Sequence, residues 1–406
     1  MIRRLLEPTL RSSARAYPVV TVTGPRQSGK TTLCRETFPK KPYVSLEPLD
    51  VREQATRDPR GFLAEYESGA VIDEVQHAPG LLSYLQDEVD REPAPGRFIL
   101  TGSQHFGLTS SIAQSLAGRT AVLTLLPPSL GELRGFENAP ESLSDTLWSG
   151  AYPRIFDRKI PPGRFLADYV TTYVQRDVRQ VLEVGNLAAF TSFLRLCAGH
   201  AGREVNFSGL AADAGVNYKT AQAWLSVLQT SYLVFTIPSW QRNFRKQIVK
   251  RPKLAFFDSG LLCHLLGITE PAQLLHHPLR GALFESWVAS EVYKQRVHAG
   301  LEPRLFHHRD AKGIEIDLVL EAERSIALIE SKSGSTVPSD ALAKLGRAIE
   351  LARSRSDPRP LVGYLVHGGE QRQRRAELIA LPWKALPEAG WIERPGAGKG
   401  ARKKRL

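Results

Sequence analysis

Short apolar runs alternate with amphipathic stretches along the first 126 residues of the chain. Val19, Val20 and Val22 make a β-branched run that reads as a buried strand. Further runs at 43–46, 69–72, 97–101 and 121–125 read as four more strands. Residues 32–37, 81–89 and 110–117 read as helices between them. Ahead of the first strand, residues 1–16 set Arg3, Arg4, Arg11 and Arg15 among leucines, as in a basic amphipathic helix. The fold class this predicts is α/β.

Further along, residues 208–225 predict two short helices that turn at Gly215, the second burying Ala221, Trp224, Leu225 and Leu228. Residues 230–237 alternate as a strand. The stretch 253–266 is apolar around Asp258, which reads as structural, and 280–294 is an amphipathic helix carrying Glu285 and Glu291. Strands around 313–320 and 326–332, a helix over 340–353 and a strand over 360–367 complete the pattern. The tail 391–406 is Gly-rich and basic, and is expected to be disordered.

Length and composition narrow the classes. A chain of 406 residues with 42% hydrophobic content supports two or three folded domains. No apolar run reaches membrane-spanning length, and the N-terminus lacks a signal-peptide core. The three cysteines, Cys34, Cys197 and Cys263, lie far apart without metal-ligand spacing, so a reducing cytoplasm is expected. The net charge of +12 suits a polyanionic partner, although solvated surface cations would give the same balance.

The chemistry concentrates at the end of the first strand. Gly24, Pro25, Arg26, Gln27, Ser28, Gly29, Lys30 and Thr31 fill every fixed position of G-x-x-x-x-G-K-[ST], with Thr32 opening the next helix. Such glycines let backbone N–H groups and a helix N-terminus face phosphates. Lys30 is expected to reach the β- and γ-phosphates of ATP, and the Thr31 hydroxyl to ligate Mg²⁺. The third strand ends in Asp73 and Glu74, placed to hold the Mg²⁺ shell and to polarise the attacking water. The fourth ends near Ser103, a candidate γ-phosphate sensor, with Thr101 the second choice. Arg119, between a helix and the fifth strand, is placed to reach a neighbouring subunit's γ-phosphate. In the middle region, the helix-turn-helix and its following strand and cations fit a winged helix. There Tyr218, Lys219, Gln222, Arg242, Arg245 and Lys246, with Lys250, Arg251 and Lys253, would meet DNA phosphates more than bases.

These elements in this order resemble the AAA+ ATPases. More closely, the chain resembles a prokaryotic group of ATP-binding proteins with a C-terminal region of unknown function. The segments GPRQSGKTT, AVIDEVQ, FILTGSQ, LAGRTAVLTLLPPS, SGAYPRIF, TYVQRDV, KLAFFDSGLL, GALFESWV, EIDLVLE and IALIESKSG carry the resemblance over nearly the whole length. It implies a P-loop AAA+ core (1–126), a helical lid (127–199), a winged helix (200–252) and an α/β, restriction-endonuclease-like domain (253–390) before the tail. Gly150 to Arg154 is similar to a sensor-2 segment, which implies that Arg154 lies on the nucleotide. Asp317 and the Glu330-x-Lys332 pattern resemble the PD-(D/E)xK nuclease core. That implies a second Mg²⁺ site on Asp317 and Glu330, with Lys332 orienting water and Glu285 assisting.

The function expected is a Mg²⁺-dependent ATPase, a homo-oligomer in a hexameric ring, that translocates on or remodels duplex or branched DNA, with branch migration as one form. Two other readings stay open: an ATP-gated DNA nuclease, and a slow nucleotide switch acting on a protein partner.

Overall fold

The structure, a computed structural model, describes residues 2–103, 115–174, 187–240, 251–309, 315–353, 357–375 and 377–392. Five strands, β1 (Val19–Thr23), β2 (Tyr43–Ser45), β3 (Val71–Asp73), β4 (Phe98–Thr101) and β5 (Thr120–Thr124), form a parallel sheet in the order β2-β3-β4-β1-β5. β1 is central and buried along its whole length, which suits its β-branched residues. Period-two alternation divides the side chains between two cores. Val19, Ile72, Phe98 and Leu100 face one, while Val20, Val22, Val71 and Ile99 face the other with Leu6 and Leu10. β4 lies beside β1, with Val19 opposite Phe98 and Val22 opposite Thr101. The C-terminal ends of β3 and β4 therefore open at the same end of the sheet as the loop that leaves β1.

Short helices follow, among them Leu143–Ser149, Pro153–Asp157 and Pro162–Tyr169, the last running into one stretch of π-helix, Val170–Val174. Helix Leu187–Gly199 packs Phe190 and Phe193 edge-on against Trp224. The helix-turn-helix is present as expected: Phe207–Asp213, a turn through Gly215 at φ +66°, then Tyr218–Thr230. The side chains of Asn206 and Asn217 cap the two helices by accepting from Gly209 N and Thr220 N. Ala221, Trp224, Leu225 and Leu228 are buried.

β6 (Val234–Ile237) pairs antiparallel with β7 (Lys253–Phe256). The boundary expected at 252 therefore falls inside a strand pair, and β7 belongs with the middle region. A single apolar cluster runs from Leu126 through the helix-turn-helix to Trp391, so the expected lid, middle and C-terminal units share one core.

The C-terminal sheet has six strands: β8 (Leu305–Arg309), β9 (Glu315–Glu321), β10 (Ile326–Lys332), β11 (Leu361–His367), β12 (Gln373–Arg375) and β13 (Leu378–Pro382). Their order is β12-β13-β11-β10-β9-β8. β8, β9 and β10 run antiparallel, and helix Ser339–Arg353 crosses over to β11, parallel to β10. Helix Arg280–His298 lies between this sheet and the first domain. Among the described residues no helix is long and apolar enough to cross a membrane.

Candidate functional site

The loop after β1 turns because two glycines take backbone geometry that side chains resist. Gly24 has φ +143°, and a Cβ there would overlap the Leu125 carbonyl; Gly29 has φ +92° and starts the helix Lys30–Thr37. Between them Gln27 is also left-handed, at φ +65°. Lys30 Nζ folds onto the loop, donating to Gly24 O (3.1 Å) and Pro25 O (2.8 Å). Burial holds the Lys30 ammonium below its ordinary pKa, with Glu74 and Asp73 pulling the other way.

Asp73 collects neutral donors. It accepts from Thr31 Oγ1 (3.1 and 3.0 Å to its two oxygens), from Tyr43 OH (2.9 Å) and from Thr101 Oγ1. Thr101, the second choice as sensor, is therefore committed to Asp73, while Ser103 serves the neighbouring carboxylate. Gln76 Nε2 bridges Glu74 Oε2 and Ser103 Oγ (3.1 Å to the latter), and Ser103 Oγ lies 3.5 Å from the same Glu74 oxygen. Glu74 itself has φ +58°, ψ +45°, the left-handed conformation that a bulky residue adopts only when its surroundings hold it there. Burial raises its carboxyl pKa, but Lys30, the Gln76 bond and Arg26 outweigh it and leave the group below its usual value.

A cleft of about 890 Å³ opens over this end of the sheet. Arg26, Gln27, Gly29, Lys30, Thr31, Thr32 and Glu74 line it, as do Phe136, Pro153 and Arg154. Ser28 lies fully buried beneath the loop rather than in the cleft. The Thr31 hydroxyl and Asp73 carboxylate form a hard oxygen pair beside a helix N-terminus, which fits Mg²⁺ with a nucleotide phosphate.

Arg4 is a residue of this region that sequence reasoning missed. It is buried and donates to Ser28 O (2.8 Å), Leu126 O (2.7 Å) and Glu132 Oε1 (2.9 Å). Glu132 also lies 3.2 Å from His298 Nδ1. Leu126 N donates to His298 Nε2 (3.0 Å), which fixes the proton of the neutral ring on Nδ1. The acidic environment of Arg4 comes from residues more than a hundred positions away, so its neighbours in sequence gave no sign of it.

Arg119 sits at the opposite end of the strands from the phosphate loop, where its carbonyl accepts from Val19 N. Its guanidinium grips Asp90 of the same chain (2.5 and 2.8 Å), which holds that carboxyl below its usual range. Tyr218 is 47% exposed and accepts from Gln222 Nε2 (3.2 Å), and Lys219 is exposed. Arg242, Arg245, Lys246 and Lys250 lie outside the described residues. Lys253 is no wing cation: it is 3% exposed and bridges Glu285 (2.8 Å) and Glu315 (3.0 Å).

In the C-terminal sheet, Glu285, Asp317 and Lys332 line a cavity of about 320 Å³. Asp317 accepts from Ser331 N (2.8 Å), and Glu330 Oε1 accepts from Lys332 Nζ (2.9 Å) and Lys344 Nζ (3.1 Å). Burial, then Glu285 and Glu330, push the Asp317 carboxyl well above its usual range. Glu330 Oε2 is buried without a hydrogen bond, while Glu330 Oε1 is shared by two ammonium groups and Asp317 is held by a backbone N–H. Among the described residues no three His, Cys, Asp or Glu side chains are disposed to hold a metal. Of the two carboxylates expected to hold Mg²⁺, Glu330 already accepts from two lysines and Asp317 from a backbone N–H.

Comparison with known proteins agrees with the first sheet. A family model described as a AAA domain matches residues 16–134, the part of the chain that carries the five-stranded sheet and the loop after β1. Two models described as domains of unknown function, DUF8612 and DUF4143, match residues 140–272 and 280–386. The first of these includes β7, in keeping with its pairing to β6. An uncharacterised protein of Mycobacterium tuberculosis, Rv2008c, is 29% identical over 401 residues, covering 96% of this chain and 86% of that one. An uncharacterised protein of Mycobacterium bovis, Mb2031c, matches to the same extent. Among solved structures, the Walker-type ATPase PABY2304 of Pyrococcus abyssi is 15% identical, covers 64% of this chain and 94% of its own, and gives a TM-score of 0.42. A RuvB variant of Thermotoga maritima is 18% identical, with 57% and 89% coverage and a TM-score of 0.30. Neither likeness is close enough to carry an argument about function.

Proposed function

We propose that the chain is a Mg²⁺-dependent ATPase that works on DNA as an oligomeric motor. The observation that carries this reading is the convergence of Lys30, Thr31, Asp73, Glu74 and Ser103 at one end of the sheet beside an open cleft. The loop N–H groups and Lys30 bind the phosphates, Lys30 leaving its two backbone carbonyls to do so. Thr31 and Asp73 would hold Mg²⁺, which would neutralise phosphate charge when bound with the nucleotide. Glu74, kept ionised and aimed by Gln76 and Ser103, takes the proton of the attacking water. Arg154, which lines the same cleft, reaches the nucleotide.

Arg119 cannot serve its own loop from the opposite end of the strands, so its finger role requires a neighbour and release from Asp90. The exposed face of helix Tyr218–Thr230, with Tyr218, Lys219 and Gln222, supports contact with DNA phosphates, as does the net charge of +12. Movement of the cleft walls on hydrolysis then displaces the helix-turn-helix. No cleavage step is assigned to the C-terminal cavity, because lysines already hold Glu285 and Glu330.

Steady-state ATP hydrolysis, alone and with single-stranded, duplex and four-way-junction DNA, tests this reading. Stimulation by one DNA form, lost in both Glu74→Gln and Arg119→Ala, is the expected result. Slow turnover indifferent to every DNA would sink the motor and leave a nucleotide switch.

A further inference from the structure

The AAA core is touched next to its phosphate loop by a residue from the middle of the chain. Tyr232 follows the second helix of the helix-turn-helix by two positions, and its hydroxyl lies 3.3 Å from both Thr23 Oγ1 and Thr124 Oγ1. Thr23 is the last residue of β1 and immediately precedes Gly24. The backbone of Tyr232 is left-handed, at φ +55°, and is pinned there by bonds from Tyr232 N to Gln229 O (3.0 Å) and from Leu233 N to Leu228 O (3.0 Å). A tyrosine in this conformation is held by its surroundings, and such positions concentrate where structure serves a switch or a ligand.

The contact has little slack on the AAA side. Leu125 N donates to Thr23 O (2.8 Å), and Gly24 lies so close to the Leu125 carbonyl that no Cβ would fit. Leu126, next in line, is fixed by Arg4 and His298. A shift at Tyr232 is therefore passed to the strand end that launches the loop instead of being absorbed beside it. In the other direction, Lys30 rests on Gly24 O and Pro25 O, so a phosphate that draws Lys30 away changes what holds those same residues.

We propose that Tyr232 is a positioning residue through which the phosphate loop and the helix-turn-helix sense each other's state. This rests on the reading of the cleft as a nucleotide site, and not on DNA being the partner. Coupling of this kind is reciprocal: nucleotide biases the helix-turn-helix, and whatever the helix-turn-helix binds biases nucleotide affinity.

Tyr232→Phe removes only the hydroxyl. Thr23 Oγ1 keeps its bond to Leu123 O (3.2 Å), so no buried group is left unpaired and folding is spared. The experiment is hydrogen–deuterium exchange of the full chain with and without a non-hydrolysable ATP analogue and Mg²⁺, beside a direct measurement of analogue affinity. In wild type, exchange in the segment 218–237 changes by about fivefold or more on binding. In Tyr232→Phe the analogue binds within about threefold of wild type, and the response of 218–237 is lost. Thr124→Val, which alters the other side of the contact, gives the same loss, and the double variant loses no more than either single one. A purely structural role for the hydroxyl would alter exchange equally with and without nucleotide, which would overturn the proposal. So would wild-type-like responses in both variants, or a wild type that binds the analogue with no response in 218–237. A wild type that binds no analogue would overturn the nucleotide reading first and this proposal with it.

Discussion

The cleft over the phosphate loop and the cavity of the C-terminal sheet contain the same residue types, two or three carboxylates and a lysine, and treat them in opposite ways. In the cleft, Asp73 and Glu74 are held by uncharged groups (Thr31, Tyr43 and Thr101 for one, Gln76 and Ser103 for the other), and Lys30 rests on carbonyls. Around the cavity, Lys253 bridges Glu285 and Glu315, and Lys332 and Lys344 share Glu330, while Asp317 accepts from the backbone N–H of Ser331. The first arrangement leaves charges of both signs for an incoming ligand to complete. The second sets lysines on Glu285 and Glu330 and leaves Asp317 on a backbone N–H. The ionisation of single groups follows suit, since Glu74 stays below its usual pKa while Asp317 is pushed well above. A cluster of acids and a lysine therefore says little about chemistry until the partners of each group are known.

The largest expected effect comes from breaking the lysine-held side. Lys253→Met leaves Glu285 and Glu315 facing each other without their shared cation, and unfolding in urea should show a loss of about 3–5 kcal/mol. ATP turnover per folded molecule should not change. The mirror experiment is Glu74→Gln, which should leave the unfolding free energy nearly intact and reduce turnover about a hundredfold or more, some 2.7 kcal/mol. Should Lys253→Met abolish turnover in well-folded protein, the two regions would not be independent in the way their partners imply. A smaller effect separates them by ligand. At ten times its Kd, Mg²⁺ with ATP should stabilise the wild type by about 1.4 kcal/mol and should not stabilise Lys30→Ala. Mg²⁺ alone should do nothing measurable, because lysines already hold Glu285 and Glu330. Stabilisation by Mg²⁺ alone, lost in Asp317→Asn, would restore the metal site that the sequence pattern implies.

The contrast also accounts for what could be read from the sequence. The phosphate loop was legible because its chemistry is local: eight consecutive residues carry the glycines, the lysine and the hydroxyl, and β1 announces itself by its valines. The strand ends bearing Asp73 and Ser103 followed from the alternation of apolar runs. The helix-turn-helix followed from Gly215 and the spacing of Ala221, Trp224 and Leu228. What stayed hidden depends on partners distant in sequence. Arg4 finds Glu132, Tyr232 finds Thr23, and Lys253 leaves a run of surface-like cations to become a buried bridge. The choice of Thr101 by Asp73 and of Ser103 by Glu74 is fixed by register across three strands, which no single segment encodes.

The smallest effect, and the one that resolves the comparison most finely, is the pH dependence carried by Asp317. Glu285 and Glu330 face it as like charges and Lys253 as a countercharge, and burial is the main reason that its pKa is raised. In the unfolded chain this carboxyl ionises near its ordinary value of 3.8. Because the folded state holds the proton more tightly, it binds more protons than the unfolded state over the interval between the two values. The contribution of Asp317 to stability therefore falls as pH rises from the unfolded value through the folded one. Asparagine cannot ionise. Measured by urea unfolding with EDTA present, from about pH 5 to about pH 8, the stability of wild type should decline relative to Asp317→Asn. A constant gap across that range would mean that Asp317 is ionised throughout, as Glu74 is, and that the C-terminal cavity also holds a charge in wait for a ligand.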